Sequence, residues 1–127
     1  MTFTNYNTFS TLWNEDNDKS LVIGFSLGNT NYLIMGDAPI KIEEEMIETY
    51  KSIPCDVLKV GHHGSDTSTS DKFIKFISPK EAVISVGKNK YGHPSKKVIK
   101  TLEDNHVKIR STMTEGSISY TSYSFAL

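Results

Sequence analysis

Short apolar runs alternate along this chain with longer segments in which apolar residues recur at helical spacing. Runs at 21–27 and 32–35 flank Gly28-Asn29-Thr30-Asn31, a sequence typical of a hairpin turn. Further strand-like runs occupy 56–60, 82–86, 107–109 and 117–120, and helical spacing fills 42–53, 70–77 and 95–102. The pattern predicts the element order β-β-α-β-α-β-α-β-β.

Residues at the predicted helix starts agree with this order. Ser70 precedes the second helix and is suited to cap it, while Pro94 and Ser95 open the third. The first helix carries Glu43, Glu44 and Glu45 in its first turn, where the helix dipole favours negative charge. We therefore expect an α/β fold with three helices between strands.

Polar side chains follow three of these strands directly. Asp37 follows the second strand, His62 and His63 follow the third, and His93 lies in the loop after the fourth. Strands joined through helices are usually parallel, and ligands bind beyond their carboxyl ends. We expect these four side chains to converge at one edge of the sheet.

Imidazole nitrogen and carboxylate oxygen together suit zinc, manganese or iron, and a catalytic metal activates a bound water. Each residue also has a simpler interpretation. Asp37 is compatible with an ordinary turn, the histidine pair with a surface or capping role, and His93 with a helix cap. A serine nucleophile is not indicated, because Ser65 lies in no G-x-S-x-G motif.

Composition narrows the possibilities further. The chain has 127 residues, 37% hydrophobic and 23% charged, which predicts one globular domain without a membrane-spanning run or a signal peptide. The single cysteine, Cys55, excludes an internal disulfide, and we expect it to be buried. A net charge of −1 argues against a general nucleic-acid footprint.

One local basic cluster surrounds His93. It is consistent with a solvated loop and helix face or with an anion site, and its members are Lys88, Lys90, Lys96, Lys97 and Lys100.

Segments 33–38, 56–65 and 82–94 closely resemble the carboxyl-terminal half of metallo-β-lactamase-fold hydrolases. The nearest branch is the metallo-hydrolase domain of ComEC-type DNA-uptake competence proteins. The resemblance runs from about Phe3 to Ser119, and its most specific elements are His62-His63-Gly64-Ser65 and Gly92-His93-Pro94.

The resemblance implies half of an αβ/βα sandwich, a mixed sheet with helices on one face, in a single truncated domain spanning 1–127. It implies a divalent cofactor, zinc or manganese, held by Asp37 and His62, with His63 as the neighbouring or alternate ligand. It implies catalytic roles for Asp37, His62 and His63, and a substrate pocket lined by Ser65, Lys88 and His93.

The chain also departs from the family pattern. Relatives carry an H-x-H-x-D-H motif in their amino-terminal half, whereas no histidine precedes His62 here, and Ser95 stands where relatives often have a further histidine. Most ligands of a two-metal site are therefore missing. An isolated half would also leave an apolar sheet face open to water, so we expect a homodimer or a complementary amino-terminal half.

Three functions remain open from the sequence. The first is a metal-dependent phosphodiesterase or nuclease fragment that is active with its complement. The second is a catalytically inactive remnant that serves as a binding or dimerisation module, and the third is an acyl- or lactone-hydrolysing relative. As an isolated chain we expect it in the cytoplasm.

Overall fold

The computed structural model of this protein describes residues 1–122. Six strands and four helices form in the order β1 (Phe3–Asn5), β2 (Ile23–Leu27), β3 (Thr30–Ile34), α1 (Ile40–Thr49), β4 (Val57–Lys59), α2 (Asp71–Ile77), β5 (Glu81–Ile84), α3 (Lys96–Asp104), β6 (Lys108–Ser111) and α4 (Thr112–Glu115). Short 3₁₀ turns occupy Ser10–Leu12, Asp16–Lys19 and Gly61–Gly64.

The six strands form one mixed sheet in sequence order from β1 to β6. β1, β2 and β3 are antiparallel neighbours, and β3 to β6 are parallel. Leu33 pairs with Leu58 and Leu58 with Ala82, so these three side chains lie on one face. The α/β fold class predicted from the sequence is confirmed.

The hydrophobic core lies between that face and helices α1, α2 and α3. Strand residues alternate between buried and partly exposed along β4 and β5, as expected when one face is covered. The core cluster joins Leu33, Leu58, Ala82 and Ile84 of the sheet to Ile42, Met46, Phe73, Ile74, Val98 and Leu102 of the helices. This packing holds the carboxyl ends of β3, β4 and β5 at fixed spacing.

The opposite face of the sheet carries no helix among residues 1–122. Its apolar side chains form a groove of about 300 Å³, lined by Phe25, Leu27, Tyr32, Ile34, Val57, Lys59, Val83 and Tyr120. Phe25 and Tyr32 stack with ring centroids 5.0 Å apart, and Tyr120 meets Tyr32 edge-on at 5.7 Å. We call this surface the open face.

The predicted strand at 117–120 is wrong, and one strand near the amino terminus was not predicted. Residues 117–120 form no strand, because Ser111 caps the short helix α4 and the chain then turns at Gly116, whose φ is +73°. Tyr120 lies instead on the open face, where its hydroxyl donates to Glu81. Strand β1 was not predicted, because its residues Phe3–Asn5 are all exposed and lack an apolar pattern.

The predicted caps of α2 and α3 are confirmed, whereas the predicted start of α1 is not. The hydroxyl of Ser70 accepts from the backbone N–H of Phe73, and that of Ser95 accepts from Val98. Helix α1 begins at Ile40, so only Glu43 of the three glutamates lies in its first turn, and Glu43 is buried at 1% exposure. No helix within residues 1–122 is both long enough and apolar enough to cross a bilayer.

Candidate functional site

The site lies at the carboxyl ends of β3, β4 and β5, where the sequence places Asp37, the two histidines and the loop 85–93. Hydrogen bonds to backbone groups hold these ends together. The N–H of His62 donates to the carbonyl of Gly36 at 2.8 Å, and the hydroxyl of Ser20 accepts from the N–H of Asp37 at 3.1 Å. The expected convergence of the strand exits is confirmed.

Both histidines adopt left-handed backbone conformations in the turn Gly61–Gly64. Their φ angles are 47° for His62 and 55° for His63, values that histidine adopts more readily than most residues. At Gly64 φ is +83°, and a Cβ there would lie 2.7 Å from the Cβ of Pro94. Glycine is therefore required where the histidine turn packs on the loop before α3.

The ring of His63 is oriented towards Asp37. Its Nδ1 lies 2.7 Å from the carbonyl oxygen of Ser85, which can only accept a hydrogen bond, so Nδ1 carries the proton. In the neutral ring the lone pair is then on Nε2, which lies 4.0 Å from Oδ1 of Asp37. With His63 neutral, two electron-pair donors thus face one another at the strand edge, as where a backbone carbonyl orients a metal-binding histidine.

The ring of His62 makes different contacts. Its Nδ1 lies 3.4 Å from the hydroxyl of Thr67, and its ring centroid lies 5.8 Å from that of His93. Within the described residues, His63 is the histidine that has a carboxylate within 4.0 Å. Asp37, His62, His63 and His93 therefore share one edge, but the closest approach to Asp37 is made by His63.

The loop after the histidine turn is held by a buried carboxylate that the sequence reasoning missed. Glu43 accepts from the N–H of Thr69 at 2.5 Å and from both the N–H and the hydroxyl of Ser70 at 2.9 Å. Burial raises the pKa of Glu43 despite these bonds. The sequence places Glu43 near the start of the predicted helix, but a run of three glutamates is typical of a solvated helix face and does not predict burial.

Ser65 and Ser68 connect that loop to the histidines. The hydroxyl of Ser68 lies 2.9 Å from the carbonyl of Gly61 and donates to it. Ser65 is 4% exposed, and its hydroxyl lies 3.0 Å from that of Thr67. Ser65, expected in the substrate pocket, thus has its hydroxyl engaged inside the loop.

The lysines near His93 give this edge positive charge. Lys88, Lys90, Lys96 and Lys97 are exposed, whereas Lys100 pairs with Asp104 at 2.7 Å. In the part of the chain that the structure describes, none of the first four lies within 4.0 Å of a carboxylate. Lys96 and Lys97 also begin α3, where the helix dipole disfavours cations and favours a bound anion.

A further cation, Lys59, was not singled out from the sequence. It ends β4 on the open face, and its ammonium donates to the carbonyl of Val60 at 3.1 Å. Desolvation lowers the pKa of Lys59, and the negative charge of Asp37 partly opposes this. The position of Lys59 inside the strand-like run 56–60 was the feature of the sequence that could have indicated it.

Cys55 is buried as predicted and takes no part in the site. Burial and the neighbouring charge of Asp56 raise the pKa of its thiol to about 12. At neutral pH it is therefore a protonated thiol and a poor nucleophile or metal ligand.

A metal requires more ligands than these residues provide. A catalytic zinc site usually has three protein ligands and one open position. Among residues 1–122, no group of three or more His, Cys, Asp or Glu side chains is placed to hold an ion. Asp37 and His63 together offer two donors, so the described residues do not form a complete metal site by themselves.

Comparisons with known proteins find similarity to competence and recombination proteins. No family model matches the chain. It is 40% identical over 105 residues to ComE operon protein 3 of Bacillus subtilis, covering 82% of this chain and 14% of that protein. It is 35% identical over 108 residues to competence protein ComA of Neisseria gonorrhoeae, covering 84% of this chain and 16% of the relative.

A third relative is recombination protein 2 of Haemophilus influenzae, which is 36% identical over 104 residues, covering 81% of this chain and 13% of that protein. The chain thus spans about one seventh of the length of the Bacillus protein. Over most of its own length, it is homologous to one segment of competence and recombination proteins.

Proposed function

We propose that this chain is the carboxyl-terminal half of a metallo-β-lactamase-like, metal-dependent phosphodiesterase that acts on nucleic acid in a competence-related role. The single observation that carries the proposal is the placement of His63, whose Nε2 faces Asp37 at 4.0 Å while Nδ1 is held by the Ser85 carbonyl. Asp37 and His63 supply two ligands for zinc or manganese, and the remaining ligands come from outside residues 1–122.

The short span of the chain in its relatives supports this division. ComE operon protein 3 is about seven times longer than the segment it shares with this chain. The open face beside the site is apolar along Ile34, Val57 and Val83, and such a surface is normally covered. A complementary half, or a second copy of this chain, would cover it and complete the metal ligands together.

The chain's own residues have separate roles in this proposal. The Ser85 carbonyl orients His63 so that Nε2 presents its lone pair, and Ser20 positions the backbone of Asp37. Glu43 holds the loop that supports the histidine turn, and His62 lies next to His93 on the substrate side.

Phosphate is favoured over acyl substrates by the charge around the site. The exposed Lys88 and Lys90 lie in the same loop as His93, and their ammonium groups would neutralise a phosphodiester. An ester or lactone carries no charge that requires them. Hydrolysis of phosphodiesters is therefore the proposed reaction.

Hydrolysis of bis(p-nitrophenyl) phosphate tests the proposal. The chain is assayed with Mn²⁺ or Zn²⁺, alone and mixed with the segment that precedes the matched region in the Bacillus subtilis relative. We expect metal-dependent turnover in the mixture, and at least about a tenfold loss in His63→Asn and Asp37→Asn.

His106→Asn is the matched control, since His106 is exposed and also has a positive φ, of 58°. Asparagine tolerates this backbone conformation, so the two histidine variants change only the imidazole. Activity that is independent of metal, or unchanged in His63→Asn, would overturn the proposal.

A second candidate is an inactive folded module that binds a partner. It is favoured by the incomplete ligand set, because two donors hold a metal weakly. A folded chain that retains no metal and gives no turnover in the mixture, yet binds the complementary segment, would support this alternative.

A further inference from the structure

Tyr91 is an exposed aromatic residue beside the candidate site. It is 72% exposed, in the loop between β5 and α3. The loop borders a hollow of about 200 Å³ that His63 and His93 also line. A tyrosine ring left in water next to two histidines costs hydrophobic free energy, which a stacked ligand would recover.

The loop that presents Tyr91 is preorganised by Asn89. The side-chain oxygen of Asn89 accepts from the N–H groups of Tyr91 at 3.0 Å and His93 at 3.1 Å. Its amide nitrogen donates to the carbonyls of Gly87 at 2.9 Å and His93 at 2.8 Å. One side chain thus closes residues 87–93 into a fixed turn, so the exposure of Tyr91 is a defined feature of this loop.

Charge and ring geometry specify the ligand. The ring of Tyr91 lies nearly parallel to that of His93, with centroids 5.9 Å apart and planes 26° apart. The ammonium of Lys90 lies 5.8 Å from the tyrosine centroid, and Lys88 is exposed in the same loop. An exposed aromatic ring in a loop whose lysines have no carboxylate within 4.0 Å among residues 1–122 fits a nucleobase with its phosphate.

We propose that Tyr91 is a stacking platform for a nucleobase of single-stranded nucleic acid, with Lys88 and Lys90 contacting the adjacent phosphates. The proposal rests on the phosphodiesterase function proposed above and assigns its substrate class. The stacked base would place the neighbouring phosphodiester beside His63 and His93. Specificity for single strands follows, because a base paired in a duplex cannot present its face to the ring.

Binding of labelled hexanucleotides by fluorescence anisotropy tests the platform without requiring turnover. The probes are dT6, rU6 and an abasic hexamer that has the same phosphates but no bases. We expect wild type to bind dT6, rU6 or both more tightly than the abasic probe. Tyr91→Ala weakens the binding of that base-containing probe about tenfold, while Tyr91→Phe retains it.

Phe3→Ala is the matched control, because Phe3 is 62% exposed and lies at the far edge of the sheet on β1. It should leave all affinities unchanged. The double substitution Lys88→Ala and Lys90→Ala should weaken every probe, including the abasic one. In this double variant, the slope of log affinity against log salt concentration should become shallower by about 0.7 for each phosphate contact that is lost.

A Tyr91→Ala variant that keeps the wild-type preference for both dT6 and rU6 over the abasic probe would overturn the platform, as would a wild type without any preference. These outcomes are separate from the hydrolysis assay. Binding that depends on Tyr91, without turnover, would support the stacking platform and contradict the proposed hydrolase activity. Turnover without binding that depends on Tyr91 would support the activity and contradict the platform.

Discussion

Nε2 of His63 and Oδ1 of Asp37 face one another at a separation of 4.0 Å, although the residues are 26 positions apart in sequence. The adjacent His62 makes its nearest polar side-chain contact with Thr67 instead, at 3.4 Å. Both histidines have left-handed backbones, and their ring centroids lie 6.4 Å apart with the planes at 62° to each other. A single turn therefore directs one imidazole to the carboxylate and the other to the loop.

The first prediction concerns metal affinity. His63→Asn should weaken Zn²⁺ or Mn²⁺ binding by at least about tenfold, because it removes the lone pair that faces Asp37. His62→Asn should have the smaller effect, and His106→Asn none. Isothermal titration of each variant in the presence of the complementary segment measures this. A larger loss in His62→Asn would assign the metal to His62, as the family resemblance implies.

The second prediction concerns the buried carboxylate of Glu43. In Glu43→Gln the amide NH₂ replaces an acceptor, so at least one of the N–H groups of Thr69 and Ser70 loses its partner. We expect a loss of about 2 kcal/mol in the free energy of unfolding. Urea denaturation followed by circular dichroism measures it, together with faster amide exchange at Thr69.

The adjacent Glu44→Gln is the control, since Glu44 is exposed and should change stability little. Equal stability of the two variants would contradict a supporting role for Glu43. It would also contradict the proposal that Glu43 holds the loop that supports the histidine turn.

The third prediction is a pH dependence that arises at Asp56. The N–H of Asn31 donates to Asp56 at 2.8 Å and Lys80 lies 3.0 Å away, and these contacts lower the pKa of that carboxyl. Because the pKa of Asp56 is lowered in the folded state, its ionised carboxyl stabilises the fold at pH values above its ordinary pKa of 3.8. This stabilisation is lost as the pH falls below 3.8.

Asp56→Asn should therefore be less stable than wild type by about 1 kcal/mol at neutral pH, with the difference shrinking in acid. Denaturation curves between neutral pH and about pH 3 measure this gap. Asp66→Asn, at an exposed loop position, serves as control. A gap that stays constant or widens in acid would refute the assignment.

The fourth prediction concerns the open face. If two copies of this chain pair through it, Ile34→Lys should dissociate the dimer while the monomer stays folded, because a lysine is tolerated in water and not in an apolar interface. Analytical ultracentrifugation at micromolar concentration measures the mass. Leu21→Lys, at a residue 64% exposed, is the control. A monomeric wild type would exclude the homodimer and leave the complementary half as the partner.

Much of this fold was accessible from sequence because its signals are local. Ser70 and Ser95 cap helices through bonds to residues three positions away, and this spacing is visible in the chain. The strands β4 and β5 are short apolar runs between such helices, so their parallel pairing followed from the order of elements. The convergence of Asp37 and the histidines at one edge followed in turn.

Features that depend on distant neighbours were not accessible. Residues 117–120 have strand-like alternation, but Tyr120 packs on Tyr32 across the open face rather than pairing with β6. The exposed strand β1 exists through its pairing with β2 and has no apolar pattern of its own. The glutamate run of α1 gave no sign that Glu43 alone is buried.

The α/β alternation, the helix caps and the chemistry available at the strand exits depend on residue type and on spacing within a few positions, so they can be derived from the chain alone. Which imidazole faces Asp37 depends on two left-handed backbone conformations and on the carbonyl of Ser85, just after β5, and these are fixed only when the chain is folded. The folded chain likewise shows that no three His, Cys, Asp or Glu side chains among residues 1–122 come together to hold an ion, since a ligand set is a property of converging elements.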